Sequence, residues 1–211
     1  MPEEIGLFEA MRTMRAMRRL KPDPVPDELI NRILQAGTWA PSGGDAQKWR
    51  FIVVKDPAIK KQIQVYYQRG LDAVLHRHAQ EADPAQEARN ERRNAAVRYL
   101  TEHFHEAPVL IVCCLYHDTG KNMQPEKMYG ASIYPAVQNM LLAARGLGLG
   151  ATLTARHLQF EREVDRILGL PANAETFAIL PIGYPMGHFG SISRRPVAEV
   201  TFLDRWGRKY D

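Results

Sequence analysis

Three groups of side chains in this sequence combine residue types and spacings suited to chemistry. The run Ala40-Pro41-Ser42-Gly43-Gly44-Asp45-Ala46-Gln47-Lys48-Trp49 joins a helix-ending proline, two permissive glycines and the hydrogen-bonding side chains of Ser42, Asp45 and Gln47. Such a loop suits a flat ring with polar edges, and Pro-Ser-Gly-Gly is equally the chemistry of an ordinary turn. Arg15-Ala16-Met17-Arg18-Arg19 presents guanidinium forks. Those forks suit a phosphate, or simply complement a helix C-terminus or stay solvated. Thr154, closing Ala151-Thr152-Leu153-Thr154, offers a hydroxyl and main-chain groups at a strand end.

Other groups argue against particular chemistries. His76/His78 and His103/His105 raise the question of a metal, but two-residue spacing on a helix separates side chains by about 200°, so neither pair chelates well. Cys113 and Cys114 adjoin in an apolar run, where a strand points them to opposite faces and disfavours a mutual disulfide. Neither a Gly-x-Ser-x-Gly elbow nor a Cys–His pair signals a nucleophile. Gly146-Leu147-Gly148-Leu149-Gly150 resembles half of a dinucleotide fingerprint in the wrong place, closing a helix instead of opening one.

The elements that must position these residues follow from pattern. With 211 residues, 45% apolar and 25% charged, the chain suits one soluble globular domain. Apolar runs such as 108–115 are too short to cross a bilayer, and the acidic N-terminus lacks a signal-peptide core, so the expected setting is cytoplasmic, with no membrane partner. A net charge of +4 favours anionic ligands without naming one, and no Lys/Arg block points to nucleic acid.

A helix is expected from Ile5 to about Met17, stopped by the prolines from Pro22 to Pro26. Asp27 reads as the N-cap of a second helix, with Leu29, Ile30, Ile33 and Leu34 on one face. A strand near Arg50–Lys55 precedes a helix from about Pro57 to Arg69, whose Tyr66 and Tyr67 belong to the core or face a substrate. Residues 70–106 are charged and Ala-rich, with little core-forming material. They read as two polar helices, around Leu71–Ala82 and Ala85–His103, interrupted at Asp83-Pro84: an inserted lid or partner surface. Val109–Leu115 has the composition of a strand covered on both faces. A helix over Tyr134–Leu147, a strand at Ala151–Thr154, a helix over Phe160–Leu168 and a last strand from Phe177 into Gly183-Tyr184-Pro185 complete the core. The tail, with Phe202, Leu203 and Trp206, is too apolar to dangle and is expected to pack on something, such as a partner subunit.

Taken together, these stretches resemble the FMN-dependent nitroreductase family. The likeness rests on Arg15-Ala16-Met17-Arg18 with Pro24-Val25-Pro26, on Ala40-Pro41-Ser42-Gly43 with Gln47-Lys48-Trp49, and on Gln138-Asn139-Met140-Leu141-Leu142-Ala143-Ala144 leading into Leu147-Gly148-Leu149-Gly150. Gly183-Tyr184-Pro185 and Arg194-Arg195-Pro196-Val197 extend it in the family's order. The resemblance implies an α+β fold over residues 1–211, a central, mainly antiparallel sheet flanked by helices, with the charged insertion at about 70–106. It implies an intertwined homodimer sharing two FMN sites. Arg15, Ala16, Arg18 and Arg194 would then hold the FMN phosphate and ribityl chain. Pro41, Ser42 and Gly43, with Gln47 in the same loop, would lie along the ring from the opposite subunit. Leu153, Thr154 and Ala155 would meet its other edge.

Three departures stand out: Ala16 where the family often has Ser, Met14 where Arg is frequent, and Asp45 where Asn is common. An ionised Asp45 beside a flavin would lower its potential, unless it pairs with a nearby arginine. The implied activity is transfer of electrons from NADH or NADPH, through FMN, to a nitroaromatic, quinone or related small-molecule acceptor in a ping-pong cycle. Reductive dehalogenation, flavin fragmentation and non-catalytic flavin or anion binding are the alternatives.

Overall fold

Val109–Tyr116 (β2) is the strand against which the rest is laid. Seven of its eight residues are buried, which explains its unbroken apolar composition: it is covered on both faces. It pairs antiparallel with Trp49–Val54 (β1) on one side and Ala174–Gly183 (β4) on the other, and the two-residue Gly150–Ala151 (β3) adds to β4, for the order β1-β2-β4-β3. The computed structural model describes residues 5–79, 84–118 and 126–210, with 73–79, 84–90, 92, 126 and 127 as backbone only.

Alternation along β2 sends Ile111, Cys113 and Leu115 into one core cluster and Leu110, Val112 and Cys114 into the other. The cysteines therefore do face apart, although a register shift against β4 falls between them. Burial pushes both thiols up, Cys114 to about 12, which leaves them inert.

The first cluster is closed by Asp27–Thr38 (α2) and Glu126–Gly146 (α5). Pro26, not Asp27, occupies the N-cap position, and Asp27 pairs instead with Lys55 of the segment after β1. Gly37 lets the two helices approach, since a Cβ there would lie 3.0 Å from Met140 Cγ. α5 starts well before Tyr134 and carries Pro135 inside it.

The second cluster is closed by Pro57–Ala79 (α3), Pro84–Glu102 (α4) and Glu161–Leu168 (α6), with short turns at Phe104–Glu106 and Arg156–Phe160. Two expectations are corrected here. α3 does not end near Arg69 but continues through Gly70, whose missing Cβ makes room for the chain at Arg156; a Cβ would lie 2.6 Å from Arg156 O. Residues 70–106 also contribute real core, because Leu71, Leu100 and Phe104 are buried and the Tyr67 ring stacks on Phe104 at 4.3 Å. Their apolar residues are few, but Leu71, Leu100 and Phe104 are each buried in the core, a placement that average composition conceals. Asp83 lies outside the described residues; α4 opens at Pro84, where a missing N–H costs nothing.

Leu7–Thr13 (α1) is shorter than its pattern suggested. It ends as Met14 turns extended, and the chain then runs beside β3, with Met17 N–H donating to Ala151 O at 3.0 Å and Leu20 bridging Pro185. β3 likewise stops at Ala151, and only Thr154 returns to β4, exchanging two hydrogen bonds with Ile179. After Val197–Val200 (α7), Phe202 pairs with Lys209 and its ring lies tilted against Trp206, but Trp206 stays 90% exposed, so this indole finds no cover among the described residues. Among the described residues no helix is long and apolar enough to cross a membrane.

Candidate functional site

Tying Met17 to Ala151 sets Arg18 beside the extended segment that leaves β3. Arg18, Thr152, Leu153, Thr154 and Ala155 together line a cavity of about 370 Å³. α3 adds Tyr67, α4 adds Val97 and Leu100, and the turn after Ala155 adds Arg156 and Gln159. The Arg18 guanidinium is half-buried, and loss of hydration lowers its pKa; Tyr67 acts in the opposite sense, while Arg156 and Arg93 add like-charge repulsion. It remains a cation, since a guanidinium does not lose its proton in proteins. Among the described residues no carboxylate lies within ion-pair distance of it. A partly dehydrated cation in that position favours an anion or an electron-rich polar edge.

Thr154 commits both main-chain groups to Ile179, at 3.0 and 2.9 Å. In an extended chain its neighbours point the other way: Leu153 is 40% exposed where Thr152 is 2%. Among the described residues no backbone carbonyl takes the N–H of Leu153 or Ala155. The segment thus offers an apolar side chain and main-chain donors, with the Thr154 side chain itself buried.

The glycine loop is built differently. Ser42 Oγ accepts the Gln47 N–H at 3.0 Å, Gly43 N–H donates to Ser132 Oγ of α5 at 3.2 Å, and Gln47 Nε2 donates to Asp45 Oδ1 at 2.8 Å. Gly44, Asp45 and Gln47 all lie at positive φ, 59°, 51° and 48°, which disfavours the two non-glycine residues. Asp45 is therefore engaged by Gln47, not by an arginine. Pro41, Ser42, Gly43 and Gln47 stand on α5 and the start of β1, and none of them lines the Arg18 cavity.

Arg15 and Ala16 are exposed on the extended segment, and Arg194 is exposed with its guanidinium on Ser193 O at 2.8 Å. The C-terminal strap approaches α1, since Ile192 N–H donates to Arg12 O at 3.1 Å and Arg12 Nη1 to Ser191 Oγ at 2.6 Å. Ser191 and Ile192, just before Arg194, are thereby held against Arg12, near Arg15 in sequence. Within this chain, Arg18 joins Leu153–Ala155, Arg15 and Arg194 lie exposed and do not line that cavity, and the Ser42 loop stands apart.

Sequence reasoning missed Arg156, Gln159, Val97 and Leu100. Tyr67 carried a signal, as a tyrosine near a helix end, and Arg156 directly follows the expected segment. Val97 and Leu100 had none, because they reach the cavity only through tertiary packing of α4. The side chains of His76 and His78 lie outside the described residues. His103 Nδ1 pairs with Glu106 at 2.9 Å, and among the described residues no group of three metal-ligating side chains converges.

The Nitroreductase family model matches residues 11–184. NADH dehydrogenase of Thermus thermophilus is 31% identical over 196 residues, covering 89% of this chain and 90% of that protein. Iodotyrosine deiodinase 1 of Rattus norvegicus is 28% identical over 181 residues, 84% of this chain, which spans only 61% of that relative's length. A crystal structure of oxidised iodotyrosine deiodinase bound to FMN and 3-iodo-L-tyrosine superposes with a TM-score of 0.73 at 25% identity, covering 96% of this chain and 99% of that one. Sequence match and fold agree over the same stretch, and the chain belongs to the nitroreductase family.

Proposed function

We propose that this protein is an FMN-dependent oxidoreductase that takes electrons from NADH or NADPH and delivers them to a nitroaromatic, quinone or similar small acceptor. The observation that carries the reading is the cavity shared by Arg18 and Leu153–Ala155. Its size lies within the range of roughly 300–1,000 Å³ usual for small-ligand sites. The residues fit the cofactor: Leu153 offers an apolar side chain to a flat ring, while Arg18 and the main-chain donors suit its electron-rich edge. When bound, FMN supplies a two-electron carrier between donor and acceptor. Arg18 offsets negative charge on that edge, and the buried Thr154–Ile179 pairing holds the segment in place. Arg15 and Arg194, exposed on other segments, are suited to the phosphate.

The balance for a nitro substrate needs no side-chain nucleophile. The nitro group gains two electrons and two protons, loses one oxygen as water and becomes nitroso. The nicotinamide provides both electrons and one proton, and solvent provides the other. The Ser42 loop, which stands away from the cavity in its own chain, completes the site in a homodimer. Exposed Leu7, Phe8, Trp39, Val197 and Trp206 provide apolar surface for such a partner.

A second reading, reductive dehalogenation, draws support from the similarity to iodotyrosine deiodinases. There a carbon–halogen bond takes two electrons and a proton and releases halide. Anaerobic titration of the purified yellow protein separates the two. Bleaching by NADH or NADPH with recovery on adding a nitroaromatic supports the reductase. Flavin that neither nicotinamide bleaches excludes it, and iodide release from iodotyrosine by dithionite-reduced protein then supports the second reading.

A further inference from the structure

The cavity holds more positive charge than the expected cofactor contacts use. Arg156 lines it directly, one residue past the Leu153–Ala155 segment, and its position is set by the backbone: Gly70 of α3 packs so closely that a Cβ there would lie 2.6 Å from Arg156 O. α4 supplies Val97 and Leu100 to the same wall. Arg93 precedes them by four and seven residues, on the same helical face, and is exposed. It lies close enough to Arg18 for the two charges to repel. Among the described residues no carboxylate pairs with Arg93 or Arg156. Like charges gathered around one cavity oppose folding and favour an anion that enters it. In the reading proposed above the cofactor phosphate falls to Arg15 and Arg194, on other segments, which leaves Arg156 and Arg93 for a different anion.

We propose that the electron acceptor is an anionic aromatic, its carboxylate or phenolate taken by Arg156 at the cavity and steered by Arg93 on the adjoining face of α4, with its ring against Val97 and Leu100. This rests on the reductase reading and deepens it. The charged insertion is then a selectivity element: α4 brings apolar wall and cation to the same site. A neutral acceptor of the same shape leaves Arg156 unsatisfied and is the poorer substrate.

The test compares para-nitrobenzoate with para-nitrobenzamide, a neutral analogue of similar size, on FMN-loaded protein. Wild type is compared with Arg156→Gln, Arg156→Lys and Arg93→Gln. Taking the ratio of kcat/KM for the pair in each variant cancels the intrinsic difference in reducibility. The expected result is a ratio roughly tenfold lower in Arg156→Gln, carried by KM, largely restored in Arg156→Lys, and about threefold lower in Arg93→Gln. Flavin absorbance per protein shows that cofactor content is unchanged, and the surface site Arg93 keeps the test informative if Arg156→Gln folds poorly. Calorimetric titration of the oxidised protein with each compound reads the same preference without turnover. A ratio unmoved in both variants, or equal calorimetric affinities for the two compounds, overturns the proposal. Failure of both nicotinamides to bleach the flavin strikes the reductase reading instead, and the calorimetry still decides the anion subsite.

Discussion

On one face of the sheet, Ile30 and Ile33 of α2 and Val137, Met140 and Ala144 of α5 close over Ile111, Cys113 and Leu115 with apolar contacts. The other face, under α3, α4 and α6, has a comparable apolar base in Ile63, Tyr67, Phe104 and Val164, yet it also buries Lys60, Gln64, Thr101 and His157. Lys60 Nζ reaches Ala107 O at 2.7 Å and Gln64 Nε2 reaches Thr101 O at 2.9 Å, so those groups are satisfied. His157 is not: both ring nitrogens are buried and have no partner among the described residues. A buried polar group contributes only modestly when it is hydrogen-bonded and costs stability when it is not. The first cluster is closed by apolar contacts, whereas the second leaves His157 without a partner among the described residues, next in sequence to the cavity-lining Arg156.

Four substitutions can break or sharpen this contrast. The largest effect belongs to the first face: Ile33→Ala leaves a void under α2 and is expected to lower unfolding stability by about 2–5 kcal/mol in urea titration. Flavin content of the folded protein should not change. A loss well under that range would show that this face is loosely packed after all.

On the cavity face, burial pushes His157 down to about 4 from its ordinary 6.5. Between those values the unfolded chain binds the proton and the folded one does not. The neutral-histidine contribution is thus complete above 6.5 and is lost as the pH falls toward 4. The full shift corresponds to about 3 kcal/mol. Urea titrations near neutral pH and in mild acid should show this loss in wild type, and a distinctly flatter dependence in His157→Phe. Identical slopes would mean that His157 acquires a proton without opening the fold.

The smallest effect contrasts two glycines. Gly70→Ala drives a Cβ into the Arg156 carbonyl and is expected to cost about 1–3 kcal/mol by thermal unfolding. Gly146→Ala, with nothing within 4 Å of the added Cβ, should be neutral or stabilising by up to about 1 kcal/mol. Equal effects would deny that α3 is seated on the Arg156 turn.

Periodicity exposed most of the elements. The apolar run at Val109–Leu115 announced the doubly covered strand, and Val137, Met140, Leu141 and Ala144 announced the buried side of α5. It failed where long-range contacts outweighed local preference. Gly70 looked like a helix end because glycine disfavours helices, but close packing on Arg156 makes it the residue that fits there. Met14–Met17 kept helical spacing yet runs extended, since Met17 finds its hydrogen bond on Ala151 rather than on the preceding turn. Of the site, Arg18 and Leu153–Ala155 were readable from motif, and Val97, Leu100 and Arg156 were not, because no local pattern records which helix face reaches a distant cavity.

By itself, the sequence determined which residues are apolar at strand and helix spacing, where proline and glycine interrupt them, and where guanidinium groups gather along the chain. Those properties depend on neighbours within a few residues, and the strand order of the sheet does not. Only the tertiary structure decided that Arg18 meets residues more than a hundred positions away, that α4 supplies both wall and charge to their cavity, and that the Ser42 loop stands apart from it within one chain. The physical reason is that burial and electrostatic neighbourhood arise from packing between elements, and the same local pattern is compatible with many such packings.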